Sequence, residues 1–93
     1  MNAITASELK AKMDAGEDLQ LIDIREEHEI QICSIGGQSI PMAEILTRAD
    51  DLRRDCPVVI HCRSGKRSAA VIHMLESRFE FDNLYNLDGG ILG

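Results

Sequence analysis

Most of the structural information in this chain lies in one segment, Val58-Val59-Ile60-His61-Cys62-Arg63-Ser64-Gly65-Lys66-Arg67-Ser68. Its apolar start predicts a buried strand, and the polar, glycine-containing turn that follows leads into a helix beginning near Arg67. In a strand-turn-helix of this kind, successive backbone N–H groups can point inward and bind an anion. The segment therefore predicts an anion-binding loop with Cys62 at its start.

Cys62 is the residue of this loop that can do chemistry. The pKa of a cysteine thiol falls at a helix N-terminus and beside lysine or arginine, and the thiolate is the nucleophilic form. Arg63, Lys66 and Arg67 follow Cys62 in a chain whose formal net charge is -6. A local positive region on an acidic protein attracts a small anion, whereas nucleic-acid binding uses cations clustered across a face. We expect a small anionic substrate and no nucleic-acid partner.

The composition is that of an ordinary globular protein. Hydrophobic residues make up 44% and charged residues 28% of the 93 residues, which predicts one domain, residues 1–93, with a modest core. No apolar run approaches the roughly 18 residues of a membrane span. The N-terminus carries no basic segment followed by an apolar stretch. We therefore expect a cytoplasmic protein with no membrane partner.

The cysteines and histidines do not predict a metal site. Cys33, Cys56 and Cys62 are too few and too unevenly spaced for a disulfide scaffold or a zinc site. His28 and His73 have no second ligand at metal-binding spacing. We expect no metal and no cofactor. Cys33 is interpreted as a buried small hydrophobe, with a redox disulfide to Cys62 as the alternative.

Short strands and helices are predicted to alternate along the chain. Thr5 and Glu8 form a capping box ahead of a helix over residues 6–14. Apolar spacing predicts a second helix over residues 67–78, whose packed face carries Ala70, Val71, Met74 and Leu75. Strands are predicted over residues 19–24, 38–40, 58–61 and 84–86, helical turns over 42–48 and 51–54, and a loop or single helical turn over 26–29.

This alternation predicts an α/β fold with a mainly parallel central sheet of about four to five short strands, flanked by helices on both faces. Ligands bind such sheets beyond the C-terminal ends of the strands. Asp23 and Arg25 fall at the end of one predicted strand, and Cys62 follows the end of another. We expect these residues to lie along one edge of the sheet.

The segment from His61 to Ser68 resembles the active-site loop of the rhodanese family, the single-domain sulfurtransferases. Three further segments resemble the family's other signatures and occur in the family's order. They are Leu21-Ile22-Asp23-Ile24-Arg25-Glu26 with Glu29, Gly36-Gly37-Gln38-Ser39-Ile40-Pro41, and Asn83-Leu84-Tyr85-Asn86-Leu87-Asp88-Gly89-Gly90-Ile91. Together they cover nearly the whole chain, so the resemblance implies a rhodanese-like fold over its length.

The resemblance implies transfer of sulfane sulfur from a donor such as thiosulfate to cyanide or a thiol, through a persulfide on Cys62. Backbone N–H groups of the loop would hold the anionic terminal sulfur without a metal. The implied substrate-binding residues are Arg63, Ser64, Gly65, Lys66, Arg67 and Ser68, and the implied loop-supporting residues are Asp23 and Arg25.

Arg67 has two possible roles. In the family the residue at this position turns inward toward an acidic partner, and a paired arginine would fix the loop. An arginine without that partner would instead bind substrate. Asp23 and Glu29 are both candidate partners, and we favour the structural role.

A narrower likeness concerns the variant Ile35-Gly36-Gly37-Gln38-Ser39-Ile40-Pro41. It resembles rhodanese domains that are fused to, or encoded with, adenylyltransferases that activate sulfur-carrier proteins. This likeness implies a sulfur-carrier protein or an adenylyltransferase as a partner. It also leaves open an accessory module that keeps the fold and acts by docking to such a protein without catalysis.

A cysteine-dependent phosphatase is the competing enzyme class. Protein tyrosine and dual-specificity phosphatases also use His-Cys followed by an arginine and a serine or threonine. They place five residues between the cysteine and the arginine, whereas Arg63, Ser64, Gly65 and Lys66 make only four between Cys62 and Arg67. The shorter loop suits one sulfur atom better than a phosphoryl group, so sulfur transfer is favoured.

Overall fold

The central feature of the fold is a parallel sheet, seen in a computed structural model that describes residues 2–32 and 36–90. Within these residues there are five strands, three α-helices and one 3-10 turn (Ala49–Asp51). The strands and helices are β1 (Asn2–Ile4), α1 (Ala6–Asp14), β2 (Gln20–Asp23), α2 (Glu27–Ile32), β3 (Gln38–Ser39), β4 (Val58–His61), α3 (Lys66–Arg78) and β5 (Leu84–Leu87). The order across the sheet is β1-β5-β4-β2-β3, and every pairing is parallel.

β4 occupies the centre of the sheet, and all four of its side chains are buried. Val58 and Ile60 point into one hydrophobic cluster, which includes Val71 of α3, while Val59 points into a second cluster with Leu9 of α1. Alternate residues of a strand face opposite sides of the sheet, so helices cover both faces, as predicted. Burying each such aliphatic side chain contributes about 1.5–3 kcal/mol.

The two longer helices follow their sequence signals. α1 begins with the predicted capping box: the Glu8 backbone N–H donates to Thr5 Oγ1 at 3.1 Å, and the Thr5 N–H donates to Glu8 Oε1 at 3.0 Å. α3 begins one residue earlier than predicted, at Lys66. The predicted packed face was wrong at one position, because Ala70 is exposed and Ile72 is buried in its place.

Several short elements differ from the prediction. β1 was not predicted; it is three residues long and pairs with β5. α2 is a six-residue helix where a loop or single turn was expected, and none of its residues is buried. Residues 42–48 form turns, and the 3-10 turn overlaps the expected 51–54 segment only at Asp51. Cys33, and with it the question of its burial or redox role, lies outside the described residues.

No helix in residues 2–32 and 36–90 is long and apolar enough to cross a membrane.

Candidate active site

The candidate site begins where β4 ends. β2 and β5 hydrogen-bond to either side of β4, with Asp23 in register with His61 and Asn86 in register with Ile60. Cys62 is the first residue beyond the strand, and its relative exposure is 0%. Because parallel strands end at a common edge, residues from β2, β4 and β5 converge around this cysteine.

Hydrogen-bond donors surround the Cys62 sulfur. The backbone N–H of Gly65 donates to Sγ at 3.1 Å and that of Ser68 at 3.4 Å, while Ser68 Oγ lies 3.4 Å from Sγ. Burial by itself raises the pKa of the Cys62 thiol. The Ser68 hydroxyl and the backbone amides of Ser68, Gly65 and Ser64 outweigh burial, so the pKa of Cys62 lies below its ordinary value. The loop therefore favours the thiolate.

Glycine is required at two places for this arrangement. Gly65 has φ +95, in the left-handed region, and precedes the first residue of α3. At Gly90, with φ +57, an added Cβ would lie 2.5 Å from the carbonyl oxygens of both Cys62 and Arg63. The chain after β5 thus packs directly against the start of the loop. This contact fixes the backbone of Cys62 and Arg63.

Arg67 is paired with Glu29 of α2. Its two terminal nitrogens donate to the two carboxylate oxygens at 3.1 and 2.8 Å. The hydrogen bonds from Arg67, together with one from the Glu26 backbone N–H, lower the pKa of Glu29 to about 2. Of the two candidate partners, Glu29 is therefore the one in contact, and Arg67 is paired. The Arg67 guanidinium also lies close enough to Cys62 to interact with its thiolate.

Asp23 and Arg25 form a buried pair beneath the loop. Arg25 Nε and Nη2 donate to the Asp23 carboxylate at 3.0 and 2.8 Å, and both residues are 3% exposed. Burial opposes ionisation of Asp23, but the hydrogen bonds from Arg25 keep its pKa below the ordinary value. Arg25 Nη1 also donates to the Glu29 backbone oxygen at 3.4 Å. This pair is therefore connected to the loop through Glu29 and Arg67.

His61 lies against the same pair. Its ring is fully buried, and neither ring nitrogen has a hydrogen-bond partner among the described residues. Nε2 is 3.8 Å from Asp23 Oδ2. Burial lowers the pKa of His61 more than the Asp23 charge raises it, so the imidazole is neutral.

The remaining loop residues lie at the surface. Arg63, Ser64 and Lys66 are exposed, whereas Gly65 and Ser68 are buried. The site thus has an interior of amides and one hydroxyl around the sulfur, and an exterior that carries two cations. No cluster of three or more potential metal ligands occurs in residues 2–32 and 36–90.

Asn86 was missed by the sequence reasoning as a site residue. It is buried in β5, accepts a hydrogen bond from Ser68 Oγ, and donates through Nδ2 to the Gly65 carbonyl oxygen at 3.2 Å. The available signal was a lone amide between the apolar residues Tyr85 and Leu87 of a predicted strand. A buried polar side chain must find partners, and here both partners belong to the loop.

This combination of a parallel α/β sheet and an amide-lined cysteine loop defines a rhodanese-like domain. A family model described as "Rhodanese-like domain" matches residues 5–93. The chain belongs to the rhodanese-like domain family.

Individual relatives agree with this assignment. A "Sulfurtransferase" of Allochromatium vinosum is 34% identical over 94 residues, covering 99% of this chain and 86% of the relative. "Probable adenylyltransferase/sulfurtransferase MoeZ" of Mycobacterium tuberculosis is 30% identical over 98% of this chain, which spans only 24% of that protein. The crystal structure of a rhodanese-like domain protein from Staphylococcus aureus has a TM-score of 0.86 at 29% identity, covering 99% of this chain and 89% of that one.

Gly90→Ala should destabilise the fold more than Gly16→Ala. Both glycines have positive φ, so both substitutions introduce left-handed strain of roughly 1–2 kcal/mol. Only Gly90 adds a clash with the backbone of Cys62 and Arg63, since nothing lies within 4 Å of a Cβ at Gly16. Urea unfolding should show the larger loss for Gly90→Ala. Equal losses for the two variants would contradict the close packing of residue 90 on the loop.

Removing the Glu29 carboxylate should flatten the acid side of the stability profile. A carboxylate whose pKa is lowered by folding stabilises the protein above its ordinary value, and that stabilisation is lost as pH falls through the lowered value. For Glu29 the window runs from pH 4.5 down to about 2. Glu29→Gln should lower the free energy of unfolding by about 1 kcal/mol or less at neutral pH. In that variant the free energy of unfolding should also vary less across this pH window. The control is Glu27→Gln on the same helix, and a matching flattening in that variant would argue against the Arg67 pair as the cause.

Proposed function

We propose that the protein transfers sulfane sulfur through a persulfide on Cys62. The observation that carries the proposal is the convergence of two backbone N–H groups and one hydroxyl on the buried sulfur of Cys62. A neutral structural cysteine in an apolar core does not require hydrogen-bond donors around its sulfur. A buried anionic sulfur does require them, because they replace the water that it has lost.

The reaction takes two displacement steps. The Cys62 thiolate attacks the outer sulfur of a donor such as thiosulfate, a new S–S bond forms, and the bond to the sulfonate sulfur breaks, so that sulfite leaves with the electron pair. An acceptor such as cyanide or a thiolate then attacks the outer sulfur of the persulfide and returns the Cys62 thiolate. No net oxidation or reduction of the protein occurs over the cycle.

The loop amides act in both steps. The persulfide that forms in the first step is itself an anion, and the second step restores the thiolate. Hydrogen bonds to a charged group contribute about 1.5–3 kcal/mol each, so several aligned donors offset the loss of water around a buried sulfur. Gly65 and Ser68 supply these donors from the protein backbone without any side-chain rearrangement.

Access to the sulfur requires a local movement. Cys62 has no exposed surface, so a donor reaches Sγ only when the loop shifts. The exposed Arg63 and Lys66 flank the loop and would concentrate small anions at its surface before this shift. A small, doubly charged donor is therefore the substrate that this exterior favours.

The pairing of Arg67 argues against phosphatase chemistry. A phosphatase arginine must be available to bind the phosphoryl oxygens, whereas both terminal nitrogens of Arg67 are bonded to Glu29. With four residues between Cys62 and Arg67, the loop also offers fewer amides than a phosphate-binding loop. These two features favour sulfur transfer.

A protein partner is part of the proposal. The likeness to proteins named "Putative sulfur carrier protein YrkF" and "Probable adenylyltransferase/sulfurtransferase MoeZ" supports a sulfur-carrier protein or an adenylyltransferase as the physiological acceptor. We place this reaction in the cytoplasm, as the sequence predicts.

Treatment with thiosulfate should add one sulfur atom to the Cys62 peptide. The measurement is intact-mass and peptide mass spectrometry, with thiocyanate formation from cyanide as the activity assay. Cys62→Ser should lose both signals, while Cys56→Ser, which alters a buried cysteine elsewhere, should keep both.

A protein that takes up no sulfur on Cys62 yet binds a sulfur-carrier protein would contradict the enzyme and favour the docking module. Transfer that survives Cys62→Ser would contradict the assignment of the nucleophile.

Lys66→Ala should raise KM for thiosulfate roughly threefold at low ionic strength and leave kcat nearly unchanged. Lys66 is exposed and has no contact with the sulfur, so its charge acts on donor recruitment, and added salt should shrink the effect. Lys10→Ala, at an exposed lysine on α1, is the matched control. A KM that does not respond to Lys66→Ala, or one that responds equally to Lys10→Ala, would remove the recruiting role.

A further inference from the structure

Asn86 is tied to the loop through both ends of its amide. It is 7% exposed, on β5. Its Nδ2 donates to the Gly65 carbonyl oxygen at 3.2 Å, and its Oδ1 accepts from the Ser68 hydroxyl. Asn86 does not touch the Cys62 sulfur in these contacts, so any effect on that sulfur passes through Ser68 or Gly65.

The Ser68 hydroxyl has three neighbours and one proton. Its oxygen lies 3.2 Å from the Gly65 carbonyl oxygen, 3.4 Å from Cys62 Sγ, and in contact with Asn86 Oδ1. The two oxygens can only accept a hydrogen bond. The sulfur can donate when it is a thiol and can only accept when it is a thiolate.

The protonation state of Cys62 therefore decides where the Ser68 proton goes. With a thiol, the S–H donates to Ser68 Oγ and the hydroxyl donates to Asn86 Oδ1, so every group has a partner. With a thiolate, a hydroxyl that turns to donate to the sulfur leaves Asn86 Oδ1 facing the Ser68 oxygen without a proton between them. A buried acceptor left without a donor is unfavourable.

Rotation of the Asn86 amide does not relieve this conflict. A reversed amide would bring Nδ2 to Ser68 but would place Oδ1 against the Gly65 carbonyl oxygen. That oxygen already accepts from the Ala69 backbone N–H at 3.1 Å. The Nδ2 contact with Gly65 thus fixes which end of Asn86 faces Ser68.

We infer that Asn86 is a positioning residue that competes with Cys62 for the single proton of Ser68 and so restrains formation of the anionic sulfur. The inference rests on the proposed function, in which both the thiolate and the persulfide of Cys62 draw on this proton. Removing the Asn86 oxygen frees the hydroxyl to donate to sulfur.

The charges around Cys62 are independent of Asn86. Arg67 of α3 interacts with the charge of Cys62 and is paired with Glu29 of α2. Asp23 of β2 is paired with Arg25, and the neutral His61 of β4 lies against that pair. A substitution at Asn86 leaves these groups in place, so a change in Cys62 titration reports on Ser68 or Gly65, which a Ser68→Ala background distinguishes.

The test is the titration of Cys62 followed by NMR of isotope-labelled cysteine, which resolves each thiol without requiring reagent access. Asn86→Ala should move the half-titration point of Cys62 to lower pH. Below that point the thiolate population should rise about fivefold, which corresponds to the net value of one hydrogen bond. If Asn86 only braced the loop, its loss would loosen the amides and move the titration to higher pH, which would overturn the inference.

Two further variants make the result specific. In a Ser68→Ala background, Asn86→Ala should leave the Cys62 titration unchanged, because no hydroxyl remains to be shared. Asn83→Ala removes a second amide that donates to two backbone carbonyl oxygens, at 2.8 and 2.7 Å, and should lower stability without moving Cys62. Asn86→Val, with a β-branched side chain suited to a strand, replaces Asn86→Ala if the latter does not fold.

The outcome separates this inference from the proposed function. Titration needs no sulfur donor, so a shift to lower pH in a protein that takes up no sulfur would leave the inference standing and overturn the function. Sulfur uptake on Cys62 with no titration shift in Asn86→Ala or Asn86→Val would overturn the inference alone. An equal shift with and without Ser68 would also overturn it.

Discussion

The structure depends on keeping one buried sulfur atom supplied with hydrogen-bond donors. Cys62 has no exposed surface, and burial alone disfavours its ionised form. The donors at Gly65 and Ser68 reverse that preference. Their positions follow from the backbone, since a left-handed Gly65 lets α3 begin at Lys66 and the close approach of Gly90 holds the start of the loop. Gly65 and Gly90 therefore both position the backbone around the Cys62 sulfur.

A second set of contacts ties the loop to the edge of the sheet. The buried pair of Asp23 and Arg25 sits at the end of β2, Arg25 also contacts the Glu29 backbone, and Glu29 binds Arg67. α2 contributes no buried side chain, and these polar contacts connect it to the end of β2 and to α3. Removing one partner of a buried ion pair leaves an uncompensated buried charge, so the loss of either Asp23 or Arg25 would be strongly destabilising. Arg67 is thereby connected through Glu29 to the edge of the sheet.

Strong local signals were enough to predict the elements that build the site. The apolar run Val58-Val59-Ile60 leading into His61 predicted β4, and a capping box that the structure reproduces predicted the start of α1. β1 was missed because a three-residue strand with one buried side chain leaves almost no pattern. α2 was underestimated because its six residues bury nothing, so no apolar spacing marks it. Which acid pairs with Arg67, and that Asn86 bonds to the loop, depend on distances across 38 and 18 residues of sequence that no local pattern encodes.

The most direct test compares the pH at which Cys62 is half-ionised in the folded protein with the corresponding pH in the urea-unfolded chain. If the loop amides and the Ser68 hydroxyl outweigh burial, Cys62 ionises at lower pH in the folded protein than in the unfolded chain. Ionisation at the same or a higher pH in the folded protein would mean that burial dominates, and the loop would then not be a device for holding an anionic sulfur.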